Sequence, residues 1–126
     1  MKRISALIVD DSSVMRKIVE RSLRQAGVFV ATVLQASNGV EALELIRENP
    51  VDLIVSDINM PVMDGLEFVR QLREQQLGNG APVVMITTEG SESNVVEAIS
   101  NGARAYIRKP FTTEQVKERI LPLLER

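Results

Sequence analysis

Five short apolar segments alternating with five amphipathic ones predict an α/β fold, a single doubly wound parallel sheet in the order 2-1-3-4-5 with five helices. Two observations carry this reading. Leu53-Ile54-Val55-Ser56-Asp57 is apolar on successive positions, which suits a strand buried on both faces of a parallel sheet. The connections are short enough for right-handed crossovers, and no linker, repeat or low-complexity segment interrupts the alternation, so one domain over residues 1–126 is expected.

Ile4 to Val9 reads as the first strand, ending in Asp10-Asp11, with Ser12 or Ser13 capping the helix that follows. Met15, Val19, Ser22, Leu23 and Ala26 recur at helical spacing until Gly27 stops the pattern. Val30 to Leu34 is the second strand. Asn38-Gly39 opens a helix with apolar positions at Val40, Leu43 and Ile46, and Asn49-Pro50 ends it. The central strand runs to Asp57, followed by a turn at Asn59-Met60-Pro61 and a helix from about Gly65 to Gln76 with Leu66, Val69 and Leu72 inward. Gly78-Asn79-Gly80 breaks it. Val83 to Thr87 is the fourth strand, Ser91 to about Asn101 the fourth helix, and Tyr106 to Lys109 the fifth strand. Thr112 and Gln115 form a capping box for a last helix marked by Val116, Ile120, Leu123 and Leu124, whose end Pro122 should distort.

Composition narrows the chemistry. Fifteen Lys and Arg against 17 Asp and Glu give a formal charge of −2, which argues against affinity for nucleic acid or an anionic membrane. The N-terminal apolar run is too short for a signal peptide or a span, so a cytoplasmic protein is expected. Without cysteine there is no disulfide, thiol nucleophile or thiolate metal site, and without histidine no imidazole base, zinc ligand or phosphohistidine. Carboxylates, lysine, hydroxyls and backbone remain.

In the predicted strand order the ligand crevice lies between strands one and three, and Asp10, Asp11 and Asp57 share it. Two carboxylates about 4 Å apart repel by roughly 4 kcal/mol at an effective dielectric near 20. Either protons or a divalent cation must offset this. Oxygen ligands alone select a hard ion, and a shallow site completed by water suits Mg²⁺ better than Ca²⁺. Lys109 ends strand five and reaches towards Asp57; Thr87 ends strand four and offers a hydroxyl. Together these suit phosphoryl transfer onto Asp57, an oxyanion nucleophile that needs no base. Singly, each group has an ordinary role: Asp10-Asp11 as an N-cap, Asp64-Gly65 as a turn, Thr87 as a strand residue, Tyr106, Met60 and Met63 as packing. Their joint placement at the carboxyl ends of strands one, three, four and five argues for a site.

Five motifs carry a family resemblance: Val9-Asp10-Asp11-Ser12, Ser56-Asp57-Ile58-Asn59-Met60-Pro61, Met63-Asp64-Gly65, Ile86-Thr87-Thr88-Glu89 and Tyr106-Ile107-Arg108-Lys109-Pro110-Phe111. Together they resemble the receiver domains of two-component response regulators over essentially the whole chain, above all stand-alone receivers of the chemotaxis type. The resemblance implies that Asp57 is the phosphoacceptor, supplied from a phosphohistidine on a sensor histidine kinase of the CheA type. It implies Mg²⁺ held directly by Asp11, Asp57 and the Asn59 carbonyl, with Asp10 acting through bound water. Thr87 and Lys109 would hold the phosphoryl group, and the Lys109-Pro110 bond would be cis. Thr87 and Tyr106 would form a switch read out on helix four, strand five and helix five by a target protein such as the flagellar motor switch. Asn59, Thr88 and Glu89 would tune the acyl phosphate, with the bulk of Thr88 limiting entry of small phosphodonors. A phosphatase partner and a monomeric state are further expectations, and catalysis would extend only to the protein's own phosphorylation and dephosphorylation.

Competing readings differ at identifiable residues. An aspartyl phosphatase or mutase would place a second Asp as general acid two residues after its nucleophile, where this chain has Asn59. A flavin protein would need hydroxyls and glycine in its first loop, whereas Asp10-Asp11 would repel a phosphate. An interaction module without phosphorylation, or a receiver excised from a larger regulator, stays open beside the stand-alone regulator, which is favoured because Val9-Asp10-Asp11-Ser12 running into Met15-Arg16-Lys17, and Thr87-Thr88-Glu89, resemble chemotaxis-type receivers.

Overall fold

The three central strands of the sheet are buried because helices cover both of its faces, and the two edge strands are only partly so. In the computed structural model, which describes residues 3–88 and 91–124, β1 (Ile4–Val9), β2 (Val30–Ala36), β3 (Leu53–Ser56), β4 (Val83–Thr87) and β5 (Ala105–Arg108) form one parallel sheet in the order β2-β1-β3-β4-β5. Between them run α1 (Ser13–Gln25), α2 (Gly39–Glu48), α3 (Gly65–Glu74) and α4 (Glu92–Ser100), and α5 (Thr113–Leu124) follows β5.

Strand alternation divides the core in two. Leu7, Val9, Ile54, Val83 and Met85 pack with Leu43 and Ile46 of α2, Phe68, Val69 and Leu72 of α3 and Ala98 of α4. Their neighbours Ala6, Ile8, Leu53, Val55, Val84, Ile86 and Ile107 face the other way, against Val19 and Leu23 of α1 and Val116 and Ile120 of α5. The five helices begin on side-chain caps. Ser12, Asn38, Asp64 and Ser91 each accept an N–H from three residues on, and Thr112 and Gln115 exchange bonds of 2.9 and 3.1 Å as the expected capping box.

Several boundaries and faces differ from the sequence reading. β2 continues two residues past Leu34, because Gln35 and Ala36 still pair with Ile8 and Val9. α3 stops at Glu74, and Gln76 has already turned to a φ of 53°. In both middle helices most of the large residues read as apolar positions are buried, Leu43 and Ile46 in α2 and Val69 and Leu72 in α3, but the buried stripe also includes residues absent from that reading. In α2, Val40 is exposed and the buried stripe is Gly39, Ala42, Leu43 and Ile46; in α3, Leu66 is half-buried and the stripe is Gly65, Phe68, Val69 and Leu72. β5 begins at Ala105 and ends at Arg108, which leaves Lys109 one residue beyond it. α5 runs through Pro122 to Leu124, since Pro122 deprives only the carbonyl of exposed Glu118 of its helical partner. Among the described residues no helix is long and apolar enough to cross a membrane.

Candidate functional site

The register of β1 and β3 places two carboxylates side by side. Val9 and Ser56 are paired, and the Asp57 N–H donates to the Val9 carbonyl at 2.9 Å, so Asp10 and Asp57 leave the sheet at the same level. Each carboxylate is held by the backbone that follows it: the Ser12 N–H donates to Asp10 Oδ1 at 2.9 Å, and the Ile58 N–H to Asp57 Oδ1 at 2.7 Å. The second oxygens meet one cation. Lys109 Nζ lies 3.0 Å from Asp10 Oδ2 and 3.3 Å from Asp57 Oδ2, and the three side chains are only 12, 5 and 11% exposed.

Lys109 therefore reaches Asp57 as the sequence predicts, and it reaches Asp10 at a shorter distance. Asp11, exposed to water, completes a group whose ligand oxygens all lie within 4.8 Å of one another. Three carboxylates and one ammonium leave a formal charge of −3 + 1 = −2. The donor set consists of carboxylate oxygens with an open, solvent-facing member, which fits a hard divalent cation that keeps water ligands.

The seat of this pocket includes residues that its chemistry does not announce. Gly65 opens α3 directly beneath Asp57: a Cβ there would lie 2.0 Å from the Asp57 carbonyl oxygen and 2.8 Å from Ile58 Cα. Its N–H donates to the Ile58 carbonyl at 2.7 Å, so the absence of a side chain lets the helix start against the loop that carries the nucleophile candidate. The Ser56 hydroxyl, fully buried, donates to the Asp57 carbonyl at 2.8 Å. The signal for Gly65 was its position just inside the helix, immediately after the capping Asp64; read as a turn, it concealed a close backbone approach.

The other predicted residues fall at differing distances from this centre. Thr87 is fully buried at the end of β4, and its carbonyl accepts the Lys109 N–H at 2.9 Å. The Lys109-Pro110 bond is cis, as expected. Tyr106 pairs in register with Met85 and is half-buried against the core on the α2 to α4 side. Asn59 and Thr88 are exposed, and Met60 and Met63 pack on the same core. Glu89 lies outside the described residues.

Comparison with known proteins agrees with this geometry. Residues 6–121 match the response regulator receiver domain family. The chain is 41% identical over 119 residues to the chemotaxis protein CheY homolog of Campylobacter jejuni subsp. jejuni, covering 94% of this chain and 90% of that one. It is 41% identical over 115 residues to the chemotaxis protein CheY1 of Helicobacter pylori, covering 90 and 91%. Among solved structures, chemotaxis response regulator CheY4 of Vibrio cholerae superposes with a TM-score of 0.83 at 36% identity, over 98% of this chain and 100% of that one.

Proposed function

Because the chain belongs to the response regulator receiver family, we propose that it is the phosphoacceptor of a two-component system, in which Asp57 receives a phosphoryl group from a phosphohistidine on a sensor kinase. The observation that carries this reading is the Lys109 ammonium set between the Asp10 and Asp57 carboxylates, beside Asp11, in a pocket that keeps two negative charges in excess.

An Asp57 carboxylate oxygen attacks phosphorus in line with the P–N bond of the donor. The O–P bond forms as the P–N bond breaks, and the electron pair leaves on the imidazole nitrogen, which takes a proton from solvent. The attacking oxygen is already anionic, so no base is needed, in keeping with a chain that has no histidine. The Ile58 N–H fixes the orientation of the carboxylate, and Lys109 is placed to pair with phosphoryl oxygens once Asp57 is phosphorylated. Asp10, Asp11, Asp57 and the Asn59 carbonyl would hold Mg²⁺, which when bound offsets charge on those oxygens. Water then hydrolyses the acyl phosphate, at a rate tuned by Asn59, Thr88 and Glu89. With Asn59 where an aspartyl phosphatase keeps its acid, catalysis is confined to the protein's own acyl phosphate.

Thr87 and Tyr106 form the switch, and α4, β5 and α5 the surface that a downstream target reads. Val96 and Ile99 lie exposed on α4 within that surface. The relatives named for chemotaxis support a chemotaxis pathway, with a CheA-type kinase and a motor-switch target in the cytoplasm.

The test is the intact mass after incubation with phosphoramidate, with Mg²⁺ or with chelator. An adduct of about 80 Da, expected for an acyl phosphate, should form only with Mg²⁺ and be absent from Asp57→Asn. An adduct of the same yield in Asp57→Asn would overturn the assignment.

A further inference from the structure

We propose that Arg16 is a positioning residue for the acidic pocket, holding the turn that carries Asp10 and Asp11 in the geometry that binds a divalent cation; the inference rests on the phosphoacceptor reading above. Asp10 lies one residue past the last paired positions of β1, Val9 with Ala36 and Val9 with Ser56, so its carbonyl is beyond the ladder. Arg16, in the first turn of α1, reaches back to it: Nη1 donates to the Asp10 carbonyl at 2.6 Å while Nε donates to Gln35 Oε1 at 2.8 Å.

One planar, charged group thus ties the Asp10 backbone to α1 and to the end of β2 at once. The fixed fork of a guanidinium makes this possible, and a lysine ammonium has no equivalent geometry. Glu41 stands in the same network, its carboxyl held below the ordinary carboxylate range chiefly by the Ser37 backbone N–H and hydroxyl and further by Arg16. Because Asp10 carries a carboxylate that meets Lys109 and is followed directly by Asp11, a shift of its peptide moves two of the three oxygen donors. Outer-shell partners of this kind set how well ligands already in place bind a metal.

The molecule supplies its own control. At the other end of α1, Arg24 Nη1 donates to the Val30 carbonyl at 3.0 Å, the same helix-to-strand device at the start of β2, away from the pocket.

The experiment is a Mg²⁺ titration followed by the backbone amide resonances of Asp11 and Ile58, in wild type, Arg16→Met, Arg16→Lys, Gln35→Ala, the double variant of Arg16→Met with Gln35→Ala, and Arg24→Met. Arg16→Met should bind Mg²⁺ about tenfold more weakly, as second-shell losses do. Gln35→Ala should show a smaller loss that adds nothing to Arg16→Met in the double variant, the mark of two residues acting through one contact. Arg16→Lys should recover only part of the affinity, and Arg24→Met should bind like wild type. Gln35→Ala, which keeps the arginine and its charge, carries the test should Arg16→Met fail to fold. Arg16→Met or Gln35→Ala binding like wild type, full rescue by lysine, or an equal loss in Arg24→Met would each overturn the positioning role while leaving Asp57 phosphorylation intact as a reading. Wild type that binds no Mg²⁺ and accepts no phosphoryl group would overturn the phosphoacceptor reading itself and the inference with it.

Discussion

The same charge pattern occurs twice in this molecule, with opposite consequences. On the outer face of α3, Arg70 pairs with Glu67 and Glu74 one turn to either side, and all three side chains are substantially exposed at 42, 38 and 55%. At the carboxyl edge of the sheet, Lys109 likewise stands between two carboxylates, but with Asp10 and Asp57 it is nearly buried. Water and salt screen the first group, so it contributes little beyond local support of its helix. The second cannot be screened in that way and sits next to a further carboxylate, Asp11, so its excess of negative charge persists and suits a cation. Burial and one additional charge separate a surface ornament of α3 from a site.

Removing the central cation should break that comparison most visibly. In Lys109→Met, measured by denaturant unfolding without divalent ions near neutral pH, the loss of stability should be on the order of 3 kcal/mol, because two nearly buried carboxylates lose their partner. Arg70→Met should change stability only marginally in the same assay. Equal costs would remove the distinction between the two groups.

Gly65 tests whether α3 connects the two regions. Gly65→Ala forces the helix start off the Asp57 and Ile58 backbone, and overpacking of this kind costs about 1–3 kcal/mol. Amide shifts should concentrate around Asp57 and Ile58 and leave those near Arg70 and Glu74 unmoved. Gly39→Ala makes a useful contrast, since a Cβ there meets the flexible Met63 side chain first, at 2.7 Å from Cγ, and should be accommodated more easily.

The smallest effect concerns pH. Glu67 is held below the ordinary carboxylate range first by the Arg70 hydrogen bond and then by Gln71. A carboxylate with a depressed folded-state pKa stabilises the fold above its unfolded-state pKa and loses that contribution as pH falls through the folded value. Glu67 in Arg70→Met should therefore titrate at higher pH than in wild type, as read from its side-chain carbonyl resonance, and the slight stability difference between the two proteins should vanish in acid. An unchanged Glu67 titration would show that the pair does not hold in solution.

Much of this was legible in the sequence because strand ends are marked by where apolar runs stop. Val9 before Asp10 and Ser56 before Asp57 located the two central carboxylates, and the order of alternating elements brought them together. Lys109 was found from the same logic, though its closer approach to Asp10 depends on how far the ammonium travels past the end of β5, which spacing does not encode. The helix faces were harder to read where small residues make them. Gly39 and Ala42 are buried in α2 and Gly65 in α3, yet they carry little hydrophobic signal, so they are passed over while the larger Val40, which is exposed, reads as an apolar position. Phe68, fully buried, belongs to the same stripe as Val69 and Leu72 and is not among the positions read as inward with them. Close backbone approach at Gly65 and the reach of Arg16 to the Asp10 carbonyl are tertiary facts without a local sequence pattern.

The most direct test of the charge-imbalanced pocket is the thermal midpoint as a function of Mg²⁺ at constant ionic strength. Wild type should gain stability in a saturable manner, following the logarithm of ligand over dissociation constant, and a variant with Asp11→Asn and Asp57→Asn should not respond. A wild-type midpoint that ignores Mg²⁺, or a double variant that responds equally, would contradict the account.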